Sequence, residues 1–148
     1  MKTPMKKTIR RGFTLIEMLV VILILMILAA LIIPKLIGRT DDAKIAAAKS
    51  DIATLSSSLD QYRLDNDKYP TTEEGLNALV TQPSDAPHWK GPYLTKGSVP
   101  NDPWGNPYVY VNPGPNGADY LITSYGSDGA PGGTGNATDI TSADVNSK

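Results

Sequence analysis

The sequence predicts an α+β protein. One long N-terminal helix, apolar in its first half and amphipathic in its second, packs on a small antiparallel sheet, and a glycine-rich loop follows near the C-terminus. Three observations carry this. The run Phe13 to Ile33, FTLIEMLVVILILMILAALII, holds a single charge, Glu17. Ile45, Ala48, Ile52, Leu55, Leu59 and Tyr62 then recur at helical spacings, while Asp41, Lys44, Lys49, Asp51, Asp60 and Arg63 take other faces. Further on, YVYVN (108–112) and YLITSY (120–125) are rich in β-branched and aromatic residues and flank Pro113-Gly114-Pro115-Asn116-Gly117, the pattern of a hairpin, with room for a short third strand.

The apolar run rises roughly 30 Å as a helix, the hydrocarbon thickness of a bilayer. It has no polar face, so it must sit in lipid or among similar helices. Lys2, Lys6, Lys7, Arg10 and Arg11 precede it; Lys35, Arg39, Asp41 and Asp42 follow. The positive-inside rule then favours a cytoplasmic N-terminus and an exported remainder. A removable secretory signal also has a basic start and an apolar core. Against that reading, the run is long, only Ala29-Ala30 offers a small-residue cleavage pair, and Glu17 costs about 2.5 to 3.5 kcal/mol in a span, which a removable signal has no use for.

Gly12-Phe13-Thr14-Leu15-Ile16-Glu17 after a basic leader resembles the signal of type IV pilins and pseudopilins. The resemblance implies a pilin-like fold and cleavage by a prepilin peptidase between Gly12 and Phe13. It also implies N-methylation of Phe13 and a role for Glu17 in setting subunit register by pairing with a neighbouring subunit's amine. Residues 1–12 are then a leader, 13–40 the membrane and assembly half of the helix, and 41–148 an exported globular domain.

Composition bounds that domain. About one hundred residues suffice for one modest core. Of the 14 Lys and Arg, five lie in the leader, leaving nine against 15 Asp and Glu. Such a balance argues against nucleic acid, which needs a basic face. There is no cysteine, so an exported chain must close its loops without a disulfide, unlike many adhesive type IV pilins.

In chain order, Pro34 predicts a bend or local melting in a helix that runs from about Thr14 to about Leu64. Asp65-Asn66-Asp67-Lys68-Tyr69-Pro70 stops it. Thr71 and Glu74 have the form of a capping box, predicting a short helix over about 72–80. Glu73 and Glu74 read better as N-terminal capping charges than as a catalytic pair. From Thr81 to Pro107 the chain is dense in Pro and Gly, with Trp89, Tyr93 and Trp104 as packing anchors. His88, the single histidine, has no Cys or second His to make a zinc site, which leaves it a surface or packing role. Asp102-Pro103-Trp104-Gly105 and Tyr69-Pro70-Thr71-Thr72-Glu73-Glu74-Gly75-Leu76 are similar to segments of the major pseudopilin family of type II secretion, extending the resemblance to about Ile140.

The stretch Gly126 to Ile140 reads by composition as a flexible tail. A second reading is open: tight glycine turns can aim carbonyls inward, and Asp128 with Asp139 could add two carboxylates, the hard oxygen set that calcium prefers. EF-hand spacing is absent, as is a phosphate-loop Gly-Lys-Ser/Thr. The resemblance implies a calcium site here, with side chains of Asp128 and Asp139 and main-chain oxygens near Tyr125, Ala130 and Thr138. The ending TSADVNSK departs from that family's aromatic C-terminus, and Asn136-Ala137-Thr138 fits a glycosylation sequon that nothing else supports.

No catalytic constellation appears, so an enzyme is not expected. The expected function is a structural subunit: a homopolymer forming a periplasmic pseudopilus of type II secretion that drives folded exoproteins across the outer membrane. Its implied partners are minor pseudopilins, the prepilin peptidase, an inner-membrane assembly platform and its ATPase. A type IV pilin of a surface fibre, or a membrane-anchored calcium-binding module that never polymerises, are the alternatives.

Overall fold

The structure, a computed structural model, describes residues 12–146 and, within them, the side chains of all but 30–39 and 146. Leader residues 1–11, which include its five basic residues, lie outside the described residues, as do the side chains of Pro34, Lys35 and Arg39, on which the expected bend and topology rest. The chain falls into two compact units, Met1–Arg39 and Thr40–Lys148.

Helix α1 spans Leu15–Asn66, close to the predicted bounds, and does not end at Pro34. It starts with a cap the residue pattern also encodes: the Thr14 N–H donates to Glu17 Oε2 (2.8 Å), and the Glu17 N–H donates to the Thr14 hydroxyl oxygen (3.3 Å). It stops where Asp67 takes a left-handed conformation, φ 57°, its N–H donating back to the Arg63 carbonyl.

In the first unit, Leu15, Ile16 and every large side chain from Met18 to Leu28 is exposed. Consecutive helical positions point in all directions, so over the described side chains, to Ala29, this is an apolar cylinder exposed on every side. Among the described residues no helix is long and apolar enough to cross a membrane; the sequence carries the apolar run on to Ile33, past Ala29, the last side chain described in it.

In the second unit the predicted stripe is the core's floor. Ala48, Ile52, Leu55, Leu59 and Tyr62 are buried, and Ile45 packs at the margin. Three antiparallel strands, β1 (Val109–Val111), β2 (Leu121–Ser124) and β3 (Ile140–Thr141), lie in sequence order, with Val109 opposite Thr123 and Ser124 opposite Ile140. Tyr110, Ile122 and Ile140 join the core from the sheet. So small a sheet is marginal alone, and the hydrophobic surface of α1 completes it. The Tyr108 hydroxyl donates to Asp51 of α1 (3.0 Å), and burial beside that charge pushes the phenol well above its ordinary range.

The predicted short helix is corrected. Its capping box forms, with the Thr71 N–H donating to Glu74 Oε2 (2.7 Å), but only a 3-10 turn follows, Gly75–Leu79. Gly75 sits at φ 59°, a left-handed position that ends an α-helical turn as soon as it starts. Leu76 and Leu79 still reach the core.

The long proline-rich connection is held by its aromatics. Trp89 Nε1 donates to the Ala78 carbonyl (2.8 Å), and Tyr93 packs edge-on against both Trp89 and Tyr62. Lys90 and, less strongly, the Tyr93 hydroxyl bind Asp65 at the end of α1, and these partners hold the Asp65 carboxyl below its ordinary range. A third capping pair, Thr141 and Asp144, opens helix α2 (Ser142–Asn146), whose buried Ser142 oxygen accepts from the Ile122 N–H.

Candidate functional site

Two sites were expected, and they lie in different units. At the N-terminus, Gly12 and Phe13 precede the helix and are exposed, Phe13 by 81%. An exposed, non-helical peptide bond between them is accessible to a protease. Glu17, one helical turn on, is exposed, with the Thr14 N–H and hydroxyl both donating to its Oε2 (2.8 and 2.9 Å). The part of Thr14 was missed in the sequence, although Thr-x-x-Glu ahead of an apolar run is the signature of such a cap.

The second site is the loop after β2. Tyr125 leads into a 3-10 turn at Gly126–Asp128, a second turn lies at Gly135–Ala137, and Thr138 and Asp139 lead into β3. The region is therefore built from tight turns, not the flexible tail its composition suggested. Gly126 is the pivot. At φ 66° its Cα lies so close to the returning strand of the loop that a Cβ would stand 2.6 Å from the Asn136 carbonyl oxygen and 3.1 Å from that of Thr138.

The two carboxylates are each anchored at one oxygen. Asp128 Oδ1 accepts from the Ala130 N–H (3.2 Å), and Asp139 Oδ2 accepts from the Gly132 N–H (3.0 Å). Asp139 Oδ1 is buried without a hydrogen-bond partner. A buried carboxylate oxygen costs free energy unless something satisfies it, and a cation is the partner such an oxygen suits. No group of three or more His, Cys, Asp or Glu that could hold a metal ion gathers among the described residues, so a cation held by Asp128 and Asp139 would depend on main-chain oxygens as well. That donor set is all oxygen and fits calcium, not a thiolate- or imidazole-loving metal.

Residues 35–143 match the family described as type II secretion system (T2SS), protein G, and residues 7–33 match the prokaryotic N-terminal methylation motif. The chain belongs to the type II secretion system protein G family. It is 48% identical over 140 residues to the type II secretion system core protein G of Pseudomonas aeruginosa, covering 92% of this chain and 96% of that one. With the core protein G of Vibrio cholerae it shares 44% identity over 143 residues, 95% of this chain and 94% of the other. Among solved structures it is similar to the major pseudopilin from the type 2 secretion system of enterohaemorrhagic Escherichia coli. That match has 42% identity and a TM-score of 0.59, covering 74% of this chain and 94% of that one. The protein G family is one of structural subunits, and this member shares its pilin-like α+β architecture: a long N-terminal helix whose second half floors a small antiparallel sheet. The two family matches together span both expected sites, residues 7–33 taking in Gly12, Phe13 and Glu17 and residues 35–143 taking in the turn-built loop.

Proposed function

We propose that this protein is held in the inner membrane as a single-pass precursor with its globular domain in the periplasm. It is cleaved by a prepilin peptidase between Gly12 and Phe13 and methylated on the new Phe13 amine. It then polymerises into the pseudopilus that drives folded exoproteins across the outer membrane. One observation carries this: a single helix exposes large apolar side chains on every side over 15–28 and buries a narrow stripe over 48–62. A helix apolar all round needs lipid before assembly and other copies of itself after it, while the narrow stripe is spent on the chain's own fold.

Glu17 supports the same reading. Thr14 holds its carboxylate at the very start of the helix, about one turn from the amine that cleavage would create. A neighbouring subunit's amine, arriving one step along the fibre, meets a carboxylate already oriented, which favours one register over others. Minor pseudopilins, the assembly platform and its ATPase supply initiation and force. Calcium, held by Asp128 and Asp139 with main-chain oxygens at Tyr125, Ala130 and Thr138, closes the C-terminal loop of a domain that has no disulfide.

Two outcomes test this. Mature protein from host membranes is expected to have the mass of a chain beginning at methylated Phe13; mature material that still begins at Met1 removes the processing step. Deleting the gene is expected to trap exoproteins in the periplasm while leaving surface pili intact. Lost pili with normal secretion would make it a surface-fibre pilin instead.

A further inference from the structure

Asp102 lies outside the loop that holds the calcium ligands, in the Asp102-Pro103-Trp104-Gly105 segment. Its residue is 4% exposed, yet both carboxylate oxygens are occupied. Oδ1 accepts from the Trp104 N–H (3.1 Å) and the Asn106 N–H (2.8 Å), the ordinary contacts of an aspartate that opens a turn. Oδ2 accepts from the Ser124 hydroxyl (2.7 Å), a charge-assisted bond to the last residue of β2 that the turn does not need.

From Ser124 the connection continues into the loop. The Ser124 oxygen accepts from the Gly126 N–H (3.3 Å), and Asn106 Nδ2 donates to the Gly126 carbonyl (3.1 Å). Both polar groups of the Gly126 backbone are thus held from the 102–106 segment, directly or through Ser124. Gly126 in turn sits against the Asn136 and Thr138 carbonyls, and the Asn106 carboxamide also lies 3.3 Å from where a Gly129 Cβ would stand. One buried carboxylate therefore governs the point at which the two halves of the loop meet.

We infer that Asp102 is a positioning residue for the calcium loop. Acting through Ser124 and Asn106, it fixes Gly126, and with it the adjoining Tyr125 carbonyl and nearby Asp128, in the arrangement the cation requires. The inference rests on the calcium reading above. Partners of this outer kind change metal affinity by about 10–100-fold when removed.

The test is calorimetric titration of the full mature chain, in detergent micelles, with calcium alone, together with thermal unfolding in chelator. Ser124→Ala is expected to raise the calcium Kd about 10–100-fold. Asn106→Ala, at a partly exposed position, is expected to do the same and serves should Ser124→Ala fail to fold. Tyr108→Phe, which removes a part-buried hydrogen bond to Asp51 and none of the hydrogen bonds joining Asp102, Ser124, Asn106 and Gly126, is expected to lower the unfolding temperature while leaving Kd within about twofold of wild type. If the wild-type chain binds calcium and the foldable Ser124 or Asn106 variant also keeps its Kd within about twofold, the network is merely structural and the inference is overturned. A wild-type chain that binds no calcium overturns the calcium reading itself, and this assignment with it.

Discussion

Chelating calcium from the mature full-length chain is expected to lower its unfolding temperature by roughly 10–20 °C. The figure follows from linkage: a ligand at about 100 times its Kd stabilises the folded state by about 2.7 kcal/mol, and a domain near this size loses about 4–8 °C per kcal/mol. Asp139→Asn supplies the sharper test. Asp139 Oδ1 is buried with no hydrogen-bond partner, so once calcium is chelated the ionised carboxylate is a liability. Replacing it with a neutral carboxamide is expected to leave the chelated protein at least as stable as wild type while removing most of the calcium response. A residue that only packed the loop would lower stability in both conditions. Two melting curves per variant, with calcium and with chelator, separate these cases. A wild-type unfolding temperature indifferent to calcium would sink the assignment.

The long helix was readable from sequence because two independent periodicities marked it. An unbroken apolar run and a stripe of Ile52, Leu55, Leu59 and Tyr62 do not depend on distant partners for their interpretation. The hairpin was readable for the same reason, with β-branched runs on either side of a turn segment. The helix expected over 72–80 failed on one residue. The capping box at Thr71 and Glu74 was recognised and forms, but Gly75 at φ 59° cannot be told from a tolerated helical glycine by pattern alone. The Gly126–Ile140 loop was ambiguous in composition because glycine-rich segments read alike whether they are disordered or folded into consecutive turns. What distinguishes them is a long-range contact, the Asn106 side chain on the Gly126 carbonyl, which no local window contains. The link from Asp102 to Ser124 was invisible for the same reason: the two residues are far apart in the chain and meet only when the sheet forms.

Leu59→Ala is expected to destabilise the protein by about 2–5 kcal/mol, whereas Leu64→Ala, five positions along the same helix, is expected to change stability by no more than about 0.5 kcal/mol. The two leucines have the same chemistry and comparable helical propensity, so helix formation itself predicts no difference between them. Burial does. Leu59 is 0% exposed and belongs to the stripe under the sheet; Leu64 is 83% exposed. Truncating Leu59 removes buried methyl groups and leaves a cavity that the surrounding Ile52, Leu55 and Tyr62 can only partly fill, while truncating Leu64 exchanges one solvated surface for another. A domain of this size has roughly 5–15 kcal/mol to lose, so the Leu59 variant consumes a large share of it. Denaturant unfolding of the mature chain in detergent measures both changes. Equal losses at the two positions would mean that α1 does not present this face to the core, and the division of one helix into an exposed assembly half and a buried folding half would fall with it. The unequal result would have a functional consequence. A subunit whose globular domain unfolds cannot be added to a fibre, so Leu59→Ala is expected to lower secretion through loss of folded protein, without any change at Gly12, Phe13 or Glu17.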